Sequence, residues 1–292
     1  MLDALRDGEA LETWCESWSL GRDSAFDLEA DRRACAALKR NGAVAGLCNV
    51  SGQPETFIRF GPGIREDLIG ARSGSSGRMR SLAAALSWSQ FGGDARASLP
   101  ATCAQLSERG AACYIAETSG AFYRALRDYT GASLIASEYY GPAHRSGEIV
   151  NGTRHEDLQR LSFDDASLDV VITSDVMEHV PDAPAAEREI VRVLRPLGWY
   201  LFTIPFYFTL EHDRIRAEVA PDGAVVHREA PEYHGDPVRG GEVALVYRDF
   251  SESDLRRRFT ELGCSFDILR LWSPRLGILG ADMVVMAVQR LR

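Results

Sequence analysis

From about residue 101 onward, short apolar runs alternate with longer amphipathic stretches. "AACYIAE", "ASLIASEYYG", "LDVVITSDV" and "WYLFTIPF" read as strands, being brief and bounded by turn residues. "SGAFYRALRDYTG" reads as a helix closed by Gly131, and "DAPAAEREIVRVLRPLG" as another. In the second, Asp182 stands at the capping position, and Ile190, Val191, Val193 and Leu194 form a buried stripe. A helix "SESDLRRRFTELG", a strand "SFDILRLW" and a last strand "DMVVMAVQRL" follow. Such alternation predicts an α/β fold whose mostly parallel sheet is covered by helices. Ligands then bind outside the carboxyl ends of the strands.

Upstream the rhythm differs. "LEADRRACAALKRNG" places Leu28, Cys35 and Leu38 at helical spacing and stops at Gly42. Cys48 to Gly77 is rich in Gly, Ser and Pro, with one strand candidate, "TFIRF", and a helix is expected through "SGRMRSLAAALSW". The expectation is a helical N-terminal extension over residues 1–100 and a ligand-binding domain over 101–292. Within that domain, residues 207–248 interrupt the alternation and are expected to form a lid.

Composition narrows the classes. An apolar fraction of 45% and a charged fraction of 26% suit an ordinary globule, and 292 residues can bury a full core without disulfides. The formal net charge of −9, with no basic block, argues against a polynucleotide substrate. No run approaches the ~20 apolar residues that span a bilayer, and the acidic opening "MLDALRDGEALETWCESW" is not a secretory signal. The cysteines at 15, 35, 48, 103, 113 and 264 show no metal or disulfide-framework spacing. A reduced, cytoplasmic setting is expected.

The chemistry gathers at strand ends. Glu117 follows "CYIA", Glu138 follows "LIAS", and Asp175, Glu178 and His179 follow "VVIT", where none has a packing use. Asp157 falls in the loop before that third strand. A carboxylate after the second strand can accept from both vicinal hydroxyls of a ribose, and an acid in the next loop can accept from an amino group. Taken singly, each acid is more often a solvated loop residue; their repetition at successive strand ends favours a site.

From Cys113 to Phe206 the chain resembles the class I S-adenosylmethionine-dependent methyltransferases of the type 11 group. "AETSGAFYRAL", "IASEYYG", "HEDLQRLSFDDASLDVVITSDVMEHVPD" and "EREIVRVLRPLGWYLFTIP" carry the resemblance, with the tail "YRDFSESDLRRRFTELG". It implies a Rossmann-like sheet of seven strands, mostly parallel with the last antiparallel, and S-adenosyl-L-methionine as cofactor. By the same resemblance Glu138, with Tyr139 beside it, holds the ribose, and Asp157, with Leu158, the adenine. Glu117, Thr118, Ser119 and Gly120 hold the amino-acid end, Ser174, Asp175 and His179 floor the pocket, and Phe163 lines its nucleoside part. The family's first motif has several glycines, of which this chain keeps only Gly120. "CNVSGQPETFIRF" and "REDLIGARSGSSGRMR" resemble a zinc ribbon that has lost its ligands. Cys48 has Ser51 at its partner position, and one thiolate cannot close a tetrahedral site, so no metal is expected.

The implied reaction moves a methyl group to an oxygen or nitrogen of a small molecule, in a biosynthetic role. His234, in "YHGDP", and His179 are the candidate bases, since imidazole titrates near neutrality. Asp236 would fix the His234 ring, and Tyr207, Tyr233 and His234 would meet the acceptor. Two rivals stand beside this reading. A nicotinamide-dependent oxidoreductase shares the alternating pattern, but the chain lacks the G-x-G-x-x-G loop. A non-catalytic partner subunit with a decayed cofactor site would explain the sparse glycines.

Overall fold

The computed structural model describes residues 14–18, 28–236, 240–280 and 282–292. Strand β1 (Trp14–Trp18) and helix α1 (Leu28–Asn41) precede three antiparallel strands, β2 (Ala43–Cys48), β3 (Gln53–Arg59) and β4 (Leu68–Gly70). Helices α2 (Gly77–Gln90) and α3 (Leu99–Glu108) lead into β5 (Cys113–Ile115), α4 (Gly120–Thr130) and β6 (Leu134–Ala136). Then come β7 (Leu168–Ser174), α5 (Ala183–Val193) and β8 (Leu194–Thr203). A run of short antiparallel pairs follows, among them β9 (Tyr233–Gly235) with β10 (Glu242–Leu245). Helix α6 (Glu252–Glu261), β11 (Cys264–Trp272) and β12 (Val284–Arg290) complete the chain.

The main sheet has seven strands in the order β1–β11–β12–β8–β7–β5–β6. β8, β7, β5 and β6 run parallel, and the last strand, β12, is antiparallel to both neighbours. Side chains alternate across it as the period of two demands. Val170 and Ile172 of β7 face a core built with α2, α3 and α4, whereas Val171 faces the core under α5 and α6. The parallel strands thus present all their carboxyl ends on one edge of the molecule.

Three expectations change. The N-terminal extension is not helical throughout: β2–β4 form a sheet, and β1 joins the edge of the main sheet along β11. Nor does residue 100 mark a break, since α2 and α3 pack in the same core as β5 and β7. A Cβ at Gly46 would collide with the carbonyl oxygen of Arg275, so β2 lies close against the turn after β11. The fully buried Arg80 donates to the carbonyls of Leu68 (2.8 Å) and Gly277 (2.9 Å), joining the small sheet to the large one. Finally, α5 ends at Val193 and Leu194 is buried in β8 rather than on the helix. Pro196 lacks an N–H and disfavours the helical region for Arg195, which stops the helix early. Asp182 does cap α5, accepting from the Ala185 N–H at 3.0 Å.

Among the described residues no helix is long and apolar enough to cross a membrane. Cys35, Cys48, Cys103, Cys113 and Cys264 are free thiols. At the Cys48 turn the donor set is one thiol and hydroxyls, with Ser73 Oγ at 3.4 Å and Ser75 Oγ at 3.3 Å.

The insertion between β8 and α6 is held at its base by buried charges. Arg258 of α6 donates to both oxygens of Glu187 at 2.7 and 2.9 Å and to Asp213 at 2.7 Å, and Arg248 reaches Asp213 at 3.0 Å. Removing one partner of a buried pair strands the other, at a cost of about 3–5 kcal/mol. Arg258→Ala should therefore lower unfolding stability in urea by about that much. Arg257→Ala, one residue away with its side chain 55% exposed, should cost far less. Equal losses in the two variants would contradict this account of how the insertion is anchored.

Candidate functional site

The carboxyl ends of β5, β6 and β7 converge on a cavity of about 210 Å³, against the ~10–15 Å³ that one water requires. Ala116, Glu117 and Ser119 come from the loop after β5, and Ser137, Glu138 and Tyr139 from that after β6. Ser174, Asp175, Val176 and His179 follow β7. Asp157 and Leu158 supply a side wall, and the insertion closes the space with Gly235, Asp236 and Ala244. The loop after β5 needs one residue with positive φ as it enters α4, and that residue is Gly120 at +80°. Ser119, just before it, is extended at φ −130°, a conformation open to any residue. One glycine suffices for this turn.

Asp175 is bound on two sides. Its own backbone is left-handed, at φ +51°, which turns the chain away from β7 and aims the carboxylate at the N-terminal segment. Arg65 meets it with both terminal nitrogens at 2.8 Å, and Arg78 Nε lies 3.3 Å away. Burial opposes the Asp175 charge, but the Arg65 fork and the Arg78 charge outweigh it and hold the carboxyl down at about 2. Arg78 also donates to Ser174 Oγ and, at 2.8 Å, to Glu66. The arginines carried by the ribbon-like segment thus complete the floor of the cavity. They stand about a hundred positions away in the chain, and nothing in their local pattern announces that contact.

Two other acids remain poised for a ligand. Glu117 Oε1 is buried with no hydrogen-bond partner among the described residues. Burial pushes its carboxyl up to about 7; Arg78 pulls it down, while Glu138 and Asp175 push it further up. Glu138 accepts from the Thr118 N–H at 2.7 Å and from Thr118 Oγ1 at 2.8 Å, both through Oε1. Burial still raises it, and Asp236 of the insertion adds to that. Asp157 Oδ1 accepts from the Gln159 N–H at 2.9 Å, which orients the acid on the cavity wall.

A second cluster adjoins the cavity at His179. Its Nδ1 donates to the Leu245 carbonyl at 2.9 Å, and its Nε2 lies 3.2 Å from His234 Nδ1 on β9. Glu178 Oε1 is 3.6 Å from the first imidazole and 3.7 Å from the second. The Glu178 side chain is 1% exposed, and neither oxygen has a hydrogen-bond partner among the described residues. Burial pushes Glu178 up, and its carboxylate in turn raises His234. The Tyr247 N–H donates to the Glu178 carbonyl at 2.7 Å, so the insertion is pinned to this turn by backbone as well as side chain.

The residues singled out from sequence are mostly brought together. Glu117, Ser119, Glu138, Tyr139, Asp157, Leu158, Ser174, Asp175 and His179 line the cavity, while Thr118 and Gly120 shape its loop. Phe163 stands elsewhere, packed on Tyr114 at a centroid distance of 4.9 Å under the Arg154 guanidinium. Tyr207 and Tyr233 are 43% and 46% exposed and lie outside the cavity wall. On β9 the pleat turns His234 inward and Tyr233 outward. The acid beside the outer nitrogen of His234 is Glu232, at 3.4 Å, and not the expected Asp236. Asp236 points into the cavity instead, across from Glu138. Sequence reading missed Arg65, Arg78 and Glu232, and assigned no role to Glu178.

Comparison with known proteins accords with this geometry. Residues 102–202 match the family model described as a methyltransferase domain. A stretch of 61 residues is 41% identical to a probable S-adenosylmethionine-dependent methyltransferase of Mycolicibacterium smegmatis, covering 21% of this chain and 24% of that one. The match thus spans about a quarter of that relative's length. Among solved structures, an S-adenosylmethionine-dependent methyltransferase of Mesorhizobium loti is 15% identical over 66% of this chain and 97% of its own, with a TM-score of 0.41. The Burkholderia thailandensis 1,6-didemethyltoxoflavin-N1-methyltransferase, solved with 1,6-didemethyltoxoflavin and S-adenosylhomocysteine, is 15% identical over 82% and 96%, with a TM-score of 0.38. Over residues 102–202 this chain thus matches the methyltransferase-domain family.

Proposed function

We propose that this protein transfers the methyl group of S-adenosylmethionine to an oxygen or nitrogen of a small molecule. The observation that carries the reading is the buried Glu117 Oε1, without a hydrogen-bond partner among the described residues, in a cavity it shares with Glu138 and Asp157. A buried acceptor without a donor is costly unless a ligand supplies one. An ammonium group does so, and the cofactor's amino-acid end has one. Glu138 would take the two ribose hydroxyls, and Asp157 the adenine amino group. When bound, the cofactor supplies a methyl group already activated by a sulfonium.

This chain's own residues then have three tasks. Glu117, Glu138 and Asp157 fix the donor, which sets where the acceptor atom must stand. Gly235, Asp236 and Ala244 of the insertion line the cavity on the side from which an acceptor would enter. The pair His179 and His234, with Glu178 behind them, borders the same space and is the place where an acceptor proton would be handled. The small volume of the cavity, and a chain with a formal net charge of −9, favour a small acceptor over a nucleic acid. With Gly120 alone meeting the turn's demand for positive φ, sparse glycines give no ground for a decayed site.

Calorimetry with S-adenosylhomocysteine tests the reading directly. A complex should form at one ligand per chain, and nicotinamide dinucleotides should not compete. Hydrogen bonds to a charged group are worth roughly 1.5–3 kcal/mol, so Glu138→Ala should weaken binding about tenfold to a hundredfold. Wild-type affinity in that folded variant would remove Glu138 from the ribose.

Glu117 makes binding depend on pH in a defined direction. An ammonium ligand selects the ionised acid, and the free acid titrates at about 7. Affinity should therefore be full above that value and fall by about tenfold per pH unit below it. Glu117→Gln should bind more weakly but with a flat profile from pH 8 to 5.5. A flat wild-type profile would contradict the role given to Glu117.

A further inference from the structure

Three atoms of metal-ligating type converge beside the cavity, from Glu178, His179 and His234. A carbonyl oxygen only accepts, so the bond from His179 Nδ1 to the Leu245 carbonyl places that ring's hydrogen on Nδ1 and leaves a lone pair on Nε2. In the neutral His234 ring, Nε2 faces the Glu232 carboxylate at 3.4 Å and holds the hydrogen, which leaves a lone pair on Nδ1. These two lone pairs face each other across 3.2 Å. The third donor is Glu178 Oε1, buried and without a hydrogen-bond partner among the described residues. What lies among them is either a proton, carried by His234 as an imidazolium, or a metal ion.

The dimensions suit a metal ion. With separations of 3.2, 3.6 and 3.7 Å, the point equidistant from the three atoms lies about 2.0 Å from each. Bonds from imidazole nitrogen and carboxylate oxygen to zinc run about 2.0–2.2 Å. The outer partners complete the picture: a carbonyl on one ring and a carboxylate on the other orient the ligating nitrogens, as second partners do at metal sites. Two imidazoles with one carboxylate suit a transition ion of the zinc, iron, cobalt or manganese kind, whereas calcium and magnesium prefer oxygen alone.

We infer that His179 Nε2, His234 Nδ1 and Glu178 form a binding site for one divalent transition-metal cation, which receives an oxygen of the methyl acceptor. This rests on the methyltransferase reading for its consequence, but not for the site itself. Three protein ligands leave coordination positions open, and His179 lies on the cavity wall. An acceptor hydroxyl that reaches the cation there loses its proton to solvent more readily. Its electron pair then forms the C–O bond to the methyl group while the C–S pair returns to sulfur. The products are the methyl ether, S-adenosylhomocysteine and one proton. The acceptor class is accordingly a hydroxylated small molecule. This donor set is separate from the Cys48 turn.

The test uses tag-free full-length protein, stripped with a chelator and titrated calorimetrically with Co²⁺ and with Zn²⁺. Wild type should bind one equivalent of either ion, and Cys48→Ser should bind it as well as wild type. Loss of an outer partner typically costs about 10–100-fold in metal affinity. Glu232→Gln should fall in that range, and His234→Ala and Glu178→Gln should lose more. S-adenosylhomocysteine binding by His234→Ala, which keeps Glu117, Glu138 and Asp157, should match wild type and certify its fold. A stripped wild type that takes up neither ion, or a His234→Ala variant that binds them undiminished, would overturn the inference. In either case retained S-adenosylhomocysteine binding would leave the methyltransferase reading standing. If metal binds and S-adenosylhomocysteine does not, the failure belongs to that reading and the metal site survives.

Discussion

The structure turns on two carboxylates buried at one strand end. Asp175 and Glu178 follow β7 within four residues, Asp175 half-buried with its side chain 22% exposed and Glu178 fully buried. Removing an ionised carboxylate from water costs several kcal/mol even after relaxation. Each must therefore find a cation. Asp175 finds Arg65 and Arg78, which come from the N-terminal segment. Glu178 lies against His179 and against the inward ring of His234, which comes from the insertion. Two regions distant in sequence thus close on the same turn because the same turn holds both charges. The cavity is what remains between them and the ends of β5 and β6.

That division also explains why the N-terminal segment is not a separate attachment. Its small sheet is tied to the large one through Arg80 and the close approach at Gly46, and its arginines reach the cavity floor. Where a zinc ribbon would draw its rigidity from metal, this segment gains it from docking. The Cys48 turn is closed by serine hydroxyls, and the sheet edge beyond β11 is covered by β1.

Most of the sheet was legible in the sequence because local pattern and tertiary demand agree. Val170, Val171 and Ile172 are apolar in succession because β7 is covered on both faces, and α5 shows its stripe and its Asp182 cap. Failures came where a single residue overrides a pattern, as Pro196 does in ending α5, or where a polar stretch folds against a distant partner. β2 and β4 are short and broken by Gly46 and Gly70, yet pairing on both sides of β3 makes them strands. Glu117 and Glu138 were legible as residues of the cavity because each follows an apolar run. Arg65, Arg78 and Glu232 were not, since a contact made across the fold leaves no trace in local spacing. Asp236 was paired with His234 by proximity in sequence, but the pleat of β9 sends that ring toward Glu178 and Glu232.

The account stands or falls on what fills the space between the two buried acids. A crystal structure of the full chain with S-adenosylhomocysteine measures this directly. The account predicts the ligand's amino group within hydrogen-bond reach of Glu117 and its ribose hydroxyls on Glu138, with Asp175 still held by Arg65. A ligand lying elsewhere, or one whose ribose and amino group meet neither acid, would contradict it.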